Sequence, residues 1–254
     1  MKIPTFKLNG KVALVTGGSK GIGYGMAAAL GKFGAKIVIA SRNLIDIRKA
    51  EENLTELGIN VTGYPVDVTE KNQVEELIHT IVDKYGSLDI LVNNAGMNIR
   101  KPLVEVEEDD WDTVLSTNLK GIFLTGQAAA KQMIKQQSGR IINISSIFGS
   151  TGMSMQTSYA ASKGGINQLT KVWADELAPY GITVNAIAPA YIRTPMTEEW
   201  LNNEARYNQI IENTMLKRVG NLEDLAGPIV FLASEASAYV TGQILHVDGG
   251  WTSK

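Results

Sequence analysis

Short apolar segments alternate with longer amphipathic segments along the chain, from residue 11 to about residue 183. Such alternation is typical of strands and crossover helices that together build a parallel sheet. Most of the short segments are continuously apolar, which is expected when helices cover both faces of the sheet. The pattern therefore predicts a doubly wound α/β sheet of seven mostly parallel strands with helices on both faces.

The predicted elements follow this alternation in order. The strands are expected at residues 12–15, 36–40, 61–65, 90–92, 140–144, 183–187 and 244–247. The helices are expected at residues 22–33, 44–57, 71–85, 107–115, 120–135, 158–177 and 222–232. Ligands of doubly wound folds bind beyond the carboxyl ends of the strands, where the strand order reverses, so chemistry is expected at those strand ends.

Length, charge and composition narrow the class of protein. The 254 residues contain no Pro-, Gly- or Ser-rich linker and no repeat, which favours one domain spanning residues 1–254. The 24 basic and 26 acidic residues give a formal charge of -2, without the excess of Lys and Arg expected for a nucleic-acid partner. Neither an apolar signal sequence nor a run long enough to cross a membrane is visible, so a cytoplasmic protein without a membrane partner is expected.

The sequence contains few of the residues that bind metals and none that carries a thiol. Cysteine is absent, which excludes disulfides, thiolate nucleophiles and cysteine zinc sites. Of the 2 histidines, His79 lies in a charged helical pattern, and His246 ends an apolar strand and is expected to be structural. No metal site is therefore predicted.

A glycine pattern stands between the first predicted strand and the first predicted helix. Gly17, Gly21 and Gly23 follow the strand and enter the helix, which is the context of a dinucleotide pyrophosphate site. Their missing side chains let the backbone turn tightly, approach a pyrophosphate and pack the helix close to the strand. A plain structural turn is the alternative, because the chain contains 25 glycines.

The end of the second strand indicates which nicotinamide coenzyme such a site prefers. NAD sites usually place an acidic residue there to bind the ribose hydroxyls, whereas this chain has Ser41 and Arg42. The guanidinium of Arg42 and the ammonium of Lys20 suit a ribose 2′-phosphate, which favours NADP(H). The alternative is that these cations are solvated and that NAD(H) is also used. Asp46, the nearest acid, lies further into the next helix.

Two further strand ends carry residues suited to a dinucleotide. Asp67 follows the third strand and can accept a hydrogen bond from the adenine amino group, with Val68 beside the ring; helix capping with Thr69 is an equal alternative. The fourth strand is followed by Asn-Asn-Ala-Gly at residues 93–96. The small residues let the backbone lie against a coenzyme, and the amides can tie adjacent strands together.

A tyrosine, a lysine and a serine supply candidate acid–base chemistry. Tyr159 and Lys163 share one face of a predicted helix because they are four residues apart, and Ser146 lies just past the fifth strand. A free tyrosine is a poor base at neutral pH because its pKa is about 10, and a nearby positive charge lowers that pKa. Both hydroxyls are expected to face one pocket, where they can stabilise the oxygen of a carbonyl that accepts a hydride.

Together these motifs are similar to those of the short-chain dehydrogenase/reductase family. The resemblance extends from residue 11 to residue 251, with seven elements in the family's order. They are Thr-Gly-Gly-Ser-Lys-Gly-Ile-Gly at 16–23, Asp67, the string at 93–96, Asn118 within 117–121, Ser146, Tyr-Ala-Ala-Ser-Lys at 159–163, and Val-Asp-Gly-Gly at 247–250. The resemblance implies a Rossmann-like fold and an oxidoreductase that interconverts a ketone and a secondary alcohol.

The resemblance also implies roles for individual residues. Tyr159 is expected to be the general acid/base, Lys163 to lower its pKa and hold the nicotinamide ribose, and Ser146 to bind the substrate oxygen. Asn118 is expected to anchor a water that links Lys163 to solvent. The expected coenzyme contacts are Gly17, Ser19, Lys20, Gly21, Ile22, Gly23, Ser41, Arg42, Asp67, Val68, Asn93, Ala95, Gly96, Tyr159, Lys163, Ile192 and Thr194.

Two features after the sixth predicted strand bear on the substrate side of the site. Ala190 stands where the family usually has glycine, and alanine avoids positive φ, so the loop beside the nicotinamide is expected to be slightly reshaped. Residues 194–216 are polar and stand where the family keeps a mobile substrate lid. Met196, Trp200 and Tyr207 either give this lid apolar surface or anchor it to the body of the protein.

Cations near the expected pocket favour an acidic small-molecule substrate. Arg100 and Lys101 follow the fourth strand end at the rim, and Arg193 lies on the opposite loop. The expected substrate contacts are therefore Arg100, Ser146 and Arg193. Solvated surface charges are the alternative for either arginine.

Local strings narrow the resemblance within the family and leave rivals open. Residues 93–102 and 118–121, with Trp111, look most like the gluconate 5-dehydrogenases and related enzymes of sugar acids and polyols. A 3-oxoacyl carrier-protein reductase or a general ketone reductase shares every motif and is the enzymatic alternative. A non-catalytic NADP-binding sensor is the alternative of another class, and the complete Ser, Tyr, Lys and Asn set argues against it.

The two longest internal helices indicate self-association. Helices 120–135 and 158–177 carry small and apolar residues on more than one face, including Ala128, Ala161 and Trp173. By resemblance to the family, these helices form subunit contacts, which implies a homotetramer.

Overall fold

The protein folds around a parallel β-sheet in a computed structural model that describes residues 3–253. Residues 1, 2 and 254 of the predicted domain 1–254 lie outside the described residues. The strands are β1 Val12–Thr16, β2 Lys36–Ser41, β3 Val61–Pro65, β4 Ile90–Asn93, β5 Gly139–Ile144, β6 Ile182–Pro189 and β7 Ile244–Val247. They form a 7-stranded sheet in the order β3-β2-β1-β4-β5-β6-β7, with every neighbouring pair parallel. The predicted α/β fold is confirmed.

Helices connect the strands and cover both faces of this sheet. In the described residues they are α1 Gly21–Lys32, α2 Leu44–Glu56, α3 Lys71–Tyr85, α4 Glu108–Leu115, α5 Gly121–Gln136, α6 Thr157–Leu177, α7 Pro195–Leu201, α8 Glu204–Asn213 and α9 Ala226–Ala233. Strand order reverses between β1 and β4, which leaves a crevice at their carboxyl ends. None of the helices within residues 3–253 has both the length and the apolar character needed to cross a membrane.

Alternating side chains along the strands supply two separate apolar layers. Ala13 and Val15 of β1 point into a core formed with α1, α2 and α9, whereas Val12 and Leu14 point into a core formed with α3, α5 and α6. Because both faces are buried, the strands need apolar residues at every position, which explains their unbroken apolar sequence.

The predicted helix 222–232 is divided in the structure. Leu222–Leu225 forms a 3-10 turn, and α9 begins only at Ala226. Pro228 accounts for the division, because it has no N–H to donate within a longer helix but is tolerated in a first turn. Asn221 and Asp224 form a capping box that stabilises the separate turn.

The segment 194–216 contains two short helices rather than an irregular loop. Thr194 caps α7, with Pro195 at its first position, and Asn203 caps α8 by accepting from the backbone N–H of Arg206 at 3.0 Å. Leu201 and Ile210 of these helices pack in a third apolar cluster with Phe148 and Tyr191, beside the carboxyl edge of the sheet. The segment therefore lies against the edge where the predicted site residues converge.

Candidate active site

A cavity of about 410 Å³ opens at the carboxyl ends of the central strands. The glycine turn after β1 and the end of β2 line one part of it, and the ends of β4, β5 and β6 line the rest. The predicted site residues that line it are Gly17, Ser19, Lys20, Gly21, Ile22, Ser41, Arg42, Ala95, Gly96, Arg100, Ser146, Tyr159, Lys163, Ile192 and Thr194. Gly23, Asp67, Val68, Asn93, Asn118 and Arg193 are not among its lining residues.

The glycine turn is packed so closely that side chains are excluded from it. Gly17 and Gly21 adopt φ values of 63° and 54°. A Cβ on Gly17 would lie 2.9 Å from Asn94 Nδ2, and one on Gly23 would lie 2.3 Å from the Gly17 carbonyl oxygen. Gly23 thus serves the close packing of α1 on the turn, without lining the cavity itself.

Asn94 holds the glycine turn, and the sequence patterns did not single it out from its neighbours. Its Nδ2 donates to the carbonyl oxygens of Thr16 and Gly17, at 3.0 and 3.2 Å. The Thr16 hydroxyl in turn accepts from the backbone N–H groups of Asn94 and Ala95, at 3.0 and 3.1 Å. The end of β4 therefore fixes the backbone of the turn after β1 from the side.

Asn93 ties strands together, as the sequence predicted for this string. Its Nδ2 donates to Asn143 Oδ1 on β5 at 2.9 Å, and its Oδ1 accepts from the Thr125 hydroxyl on α5 at 2.6 Å. Its side chain is fully buried and satisfied by these bonds. Contact between Asn93 and a coenzyme stays a prediction.

The structure brings an acid into the part of the cavity that Ser41, Arg42 and Lys20 line. Lys20 Nζ pairs with Asp46 Oδ2 at 2.7 Å, and Asp46 lines the cavity. Asn43 caps α2 by accepting from the backbone N–H of Asp46 at 3.1 Å, and Asn43 also lines the cavity. Asp46 therefore belongs to the site, although its distance along the chain had placed it outside.

Asp67 and Val68 make local contacts in the structure. Asp67 Oδ1 accepts from the backbone N–H and the hydroxyl of Thr69, at 2.9 and 2.8 Å. Glu70 occupies the N-cap position of α3, so the alternative of helix capping by Thr69 is not supported. Val68 is buried against α5, where a Cβ on Gly121 would lie 2.8 Å from it. Their contacts with an adenine ring stay predictions.

Lys163 and Tyr159 lie together on α6, as their spacing predicted. Lys163 Nζ is 5.4 Å from the centroid of the Tyr159 ring and donates to the Ile144 carbonyl oxygen at 2.7 Å. The lysine is only 4% exposed. Ser146 follows β5, where its hydroxyl accepts from the Phe148 backbone N–H at 3.2 Å.

The lowering of the Tyr159 pKa by Lys163, which the resemblance implies, stays a prediction, because burial acts in the opposite direction in this structure. Burial raises the pKa of Tyr159, and a hydrogen bond from Ser146 and the charge of Arg100 oppose that rise. Burial also lowers the pKa of Lys163 from 10.5 to about 8, because it disfavours the ammonium. Both side chains thus lie where the enclosed site works against their charged forms, which sequence spacing alone did not reveal.

Asn118 lies behind the cavity in a π-helical turn, Ser116–Lys120, between α4 and α5. Its Oδ1 accepts from the Met97 backbone N–H at 2.8 Å, and its Nδ2 donates to the Met97 carbonyl at 2.9 Å and to Ser162 at 3.1 Å. These bonds join α6 to the loop after β4. The water-anchoring role implied by the resemblance stays a prediction.

Arg100 is the predicted substrate cation that the structure places in the cavity. Its guanidinium lies 4.7 Å from the Trp200 ring centroid, and Arg206 stacks on the same ring at 3.9 Å. Lys101 instead pairs with Asp110 at 2.5 Å. Arg193 is exposed and does not line the cavity, so the predicted substrate contact of Arg193 is not supported. Its backbone N–H donates to the Gly220 carbonyl oxygen at 2.9 Å.

The remaining predictions for segment 194–216 and for the loop after β6 concern Met196, Trp200, Tyr207 and Ala190. Trp200 and Tyr207 pack against the third apolar cluster, in keeping with an anchoring role, and Met196 lines the cavity. Ala190 is not among the described residues with positive φ, and its N–H donates to the Val247 carbonyl at 3.3 Å. Alanine is therefore compatible with this loop.

Comparisons with known proteins agree with this geometry. A family model described as enoyl-(acyl carrier protein) reductase matches residues 17–252. The chain is 44% identical to a 3-oxoacyl-[acyl-carrier-protein] reductase of Thermotoga maritima, over 96% of this chain and 98% of the relative. It is 39% identical to the 5-keto-D-gluconate 5-reductase of Escherichia coli, over 96% of each chain. A gluconate 5-dehydrogenase from Burkholderia cenocepacia, solved with NADP and tartrate, superimposes with a TM-score of 0.95 at 38% identity, covering 99% of both chains.

Proposed function

Because this chain belongs to the short-chain dehydrogenase/reductase family, we propose that it is an NADP-dependent enzyme that interconverts a ketone and a secondary alcohol on a sugar acid or polyol. The observation that carries the proposal is the convergence of Ser146, Tyr159, Lys163 and Arg100 on one cavity with the glycine turn. Hydroxyl donors, a lysine and a cation there form a site suited to a carbonyl oxygen and an anionic substrate.

The coenzyme-binding part of the cavity fits a dinucleotide with a ribose 2′-phosphate. The glycine turn leaves its backbone open to a pyrophosphate at the start of α1, where the helix dipole favours negative charge. Arg42 and Ser41 line the end of β2, with no acid in that strand end to repel a phosphate. The related structure solved with NADP supports this preference. Asp46, paired with Lys20, moderates the positive charge, so NAD(H) remains the weaker alternative.

The reaction follows from the residues that surround the reacting oxygen. Bound in this cavity, NADPH would supply a hydride for the carbonyl carbon, and NADP⁺ would accept one in the reverse direction. The hydroxyls of Ser146 and Tyr159 donate to the oxygen as negative charge develops there, which stabilises the transition state. Tyr159 then transfers its proton to form the alcohol, and the ammonium of Lys163 on the same helix face stabilises the phenolate that remains.

Arg100 supports a carboxylate-bearing substrate. The residue lines the cavity, its Nε is buried without a hydrogen-bond partner among residues 3–253, and its charge lowers the pKa values of Tyr159 and Tyr191 against the effect of burial. A planar guanidinium binds a carboxylate through paired hydrogen bonds. Residues 194–216 supply Trp200 beside it, so we assign this segment as the lid over the substrate.

Turnover of 5-keto-D-gluconate with NADPH tests the proposed function. We expect NADPH oxidation in the presence of this keto acid, and slower turnover at the same concentration of NADH. Failure to turn over 5-keto-D-gluconate or other keto acids of polyols would remove the substrate assignment. The enzyme class would then be tested with simple ketones.

Variants of the two loop arginines test the substrate cation. We expect Arg100→Leu to raise KM for 5-keto-D-gluconate by about tenfold to hundredfold, because a charge-assisted hydrogen bond is lost. Arg193→Leu is the matched control, since Arg193 is exposed outside the cavity and its loss should leave KM near the wild-type value. Equal effects of the two substitutions would contradict the assignment of Arg100.

A 3-oxoacyl carrier-protein reductase is the second candidate, favoured by the 44% identity to the Thermotoga maritima enzyme of that name. It would reduce a 3-oxoacyl thioester through the same Ser146, Tyr159 and Lys163. A higher kcat/KM for acetoacetyl-CoA than for 5-keto-D-gluconate would favour this candidate. Arg100 in the cavity argues for the smaller acid.

We also propose a cytoplasmic homotetramer assembled through the helical groove, which we define by Leu115, Leu119, Phe123 and Leu169. These apolar residues of α4, α5, α6 and the π-helical turn line an open surface depression. Phe123 is 42% exposed in the isolated chain. Apolar surface of this kind supports burial by another copy of the chain.

A further inference from the structure

Two amide side chains form a pair at the substrate end of the cavity. Asn98, in the loop after β4, lines the cavity, and its Nδ2 donates to Gln156 Oε1 at 2.8 Å. Gln156 is buried and stands immediately before α6, three residues ahead of Tyr159. The pair therefore joins the loop that carries Arg100 to the helix that carries the reacting tyrosine.

The backbone holds Gln156 in an unusual way. The preceding residue, Met155, has a φ of 64°, in the left-handed region that non-glycine residues rarely adopt. Such conformations persist only where the surrounding structure maintains them, and they occur preferentially at binding and active sites. Here the left-handed residue directs the chain into α6 directly before Gln156.

The other end of the Asn98 amide has no partner among the residues that the structure describes. Asn98 Oδ1 is shielded from solvent and accepts no hydrogen bond from any of residues 3–253. Two residues further on, Arg100 Nε is likewise buried, with no hydrogen-bond partner in the described part of the chain. A buried acceptor without a donor is unfavourable, and native structures rarely retain one unless a ligand, water or ion completes it.

We propose that Asn98, oriented by Gln156, is a specificity residue that accepts a hydrogen bond from a substrate hydroxyl between the reacting carbonyl and the carboxylate. This inference rests on the proposed function, since it assigns a polyhydroxylated acid to the same cavity. Because Gln156 Oε1 holds the NH₂ group, the amide presents its oxygen as an acceptor. Asn98 thereby selects hydroxylated keto acids over keto acids with a plain carbon chain.

The physical basis of this selection is the unpaired acceptor. A site built to hydrogen-bond a substrate hydroxyl rejects an analogue without it, because the analogue leaves the buried polar group unsatisfied. Arg100 binds either keto acid, since both carry the carboxylate. Asn98 therefore distinguishes hydroxylated from plain keto acids, a difference to which Arg100 is insensitive.

A matched substrate pair isolates this contribution. 5-Oxohexanoate has the carbon chain, ketone position and carboxylate of 5-keto-D-gluconate but lacks its hydroxyls. We expect the wild-type enzyme to favour 5-keto-D-gluconate in kcat/KM, and Asn98→Ala to reduce that preference by about tenfold or more, mainly through KM. Asn98→Leu, which keeps the branched shape and the number of side-chain heavy atoms without polar groups, should do the same and serves if the alanine variant does not fold.

Variants of Gln156 test whether this residue orients the Asn98 amide or only fills space beside it. Gln156→Glu keeps an oxygen that accepts from Asn98 Nδ2, so it should retain the preference, whereas Gln156→Ala should lower it. Asn72→Ala, at an exposed position in α3, is the matched asparagine control and should leave both substrates unaffected.

The outcomes distinguish this inference from the proposed function. If wild-type enzyme turns over 5-keto-D-gluconate but both Asn98 variants keep its full preference over 5-oxohexanoate, the role of Asn98 is wrong and the proposed function stands. If wild-type enzyme turns over neither keto acid, both are wrong. An equal decrease in kcat/KM for the two substrates would show that Asn98 maintains the shape of the cavity and does not bind a substrate hydroxyl.

Discussion

At the scale of single residues, the site contains two ionisable side chains whose burial disfavours their charged forms. Lys163 is buried against the Ile144 carbonyl, and Tyr159 lies beside it with its pKa raised by burial. Ser146 and Arg100 counter that rise. Removal from solvent holds the phenol in its protonated form, which suits a proton donor in the direction of carbonyl reduction.

Replacing the reacting hydroxyl tests the proton donor. We expect Tyr159→Phe to lower kcat with NADPH and 5-keto-D-gluconate by about a thousandfold or more, because general acid catalysis and a transition-state hydrogen bond are both lost. NADPH binding, measured by fluorescence titration, should change by less than about threefold. Substantial turnover by this variant would mean that another group supplies the proton.

The buried lysine predicts an unusual dependence of stability on pH. The pKa of Lys163 in the folded protein is about 8, below the ordinary value of 10.5. Between pH 8 and pH 10.5 the unfolded chain therefore binds more protons at this lysine than the folded protein does. Because of this difference, the contribution of Lys163 to the free energy of unfolding rises with pH across that range. Below pH 8 the penalty for the buried charge is fully present. Lys163→Met should therefore be more stable than wild type at pH 7, by about 1–3 kcal/mol, with the difference shrinking towards pH 10.

Urea unfolding at several pH values, at one protein concentration, measures this difference. Lys171→Met provides the control, because Lys171 is an exposed lysine on the same helix. A stability difference between Lys163→Met and wild type that stays constant from pH 7 to pH 10 would contradict the depressed pKa.

At the scale of elements, the glycine turn depends on contacts with a neighbouring strand. A Cβ on Gly23 would lie 2.3 Å from the carbonyl oxygen of Gly17, and Asn94 donates to that same oxygen. The start of α1 thus packs on a surface built partly by the end of β4. The cofactor-binding turn is a property of the β1–β4 pair and α1 together.

A single methyl group tests this packing. Gly23→Ala should lower stability by about 1–3 kcal/mol and weaken NADPH binding, because the new Cβ would lie 2.3 Å from a backbone oxygen and α1 must shift. Gly227→Ala in α9 is the control, since a Cβ there meets no atom of the described residues within 4 Å. Thermal melting with and without NADPH measures both effects, and equal melting temperatures for the two variants would contradict the proposed close packing.

At the scale of the whole molecule, one apolar surface stands apart from the cavity. The helical groove brings together α4, the π-helical turn, α5 and α6, whose inner faces already pack on the sheet or on one another. Since α6 also carries Tyr159 and Lys163, contacts on its outer face would stabilise the helix that positions the reacting groups.

A charge placed in the groove tests the proposed assembly. Wild type should sediment as a tetramer, and Phe123→Asp should shift the distribution towards smaller species, because a carboxylate is costly to bury in an apolar interface. Ile45→Asp is the control, since Ile45 is an apolar residue on α2 that is 80% exposed and lies outside the groove. A wild-type monomer, or a Phe123→Asp variant that remains tetrameric, would contradict the use of this groove.

Local patterns predicted most elements with close boundaries. The predicted segments 61–65, 71–85 and 244–247 have the same bounds as β3, α3 and β7. The agreement is expected because the spacing of apolar residues along each segment reflects which of its side chains pack against the sheet or the helices. The division at Pro228 and the π-helical turn were missed. The proline signal was present in the sequence, whereas the π-helical turn is associated with Asn118 contacts to Met97 and Ser162 from elements distant in sequence.

The amino-acid sequence alone determined the sheet with its order of elements, the glycine turn, and the grouping of Ser146, Tyr159 and Lys163, because motifs of this kind carry their spacing within short segments. Only the tertiary structure decided that Asp46 reaches Lys20, that Arg100 lines the cavity while Arg193 does not, and that Asn98 meets Gln156. The same holds for the pKa directions of Tyr159 and Lys163. Burial and hydrogen bonding between distant segments depend on how the elements pack, and no local pattern encodes those distances.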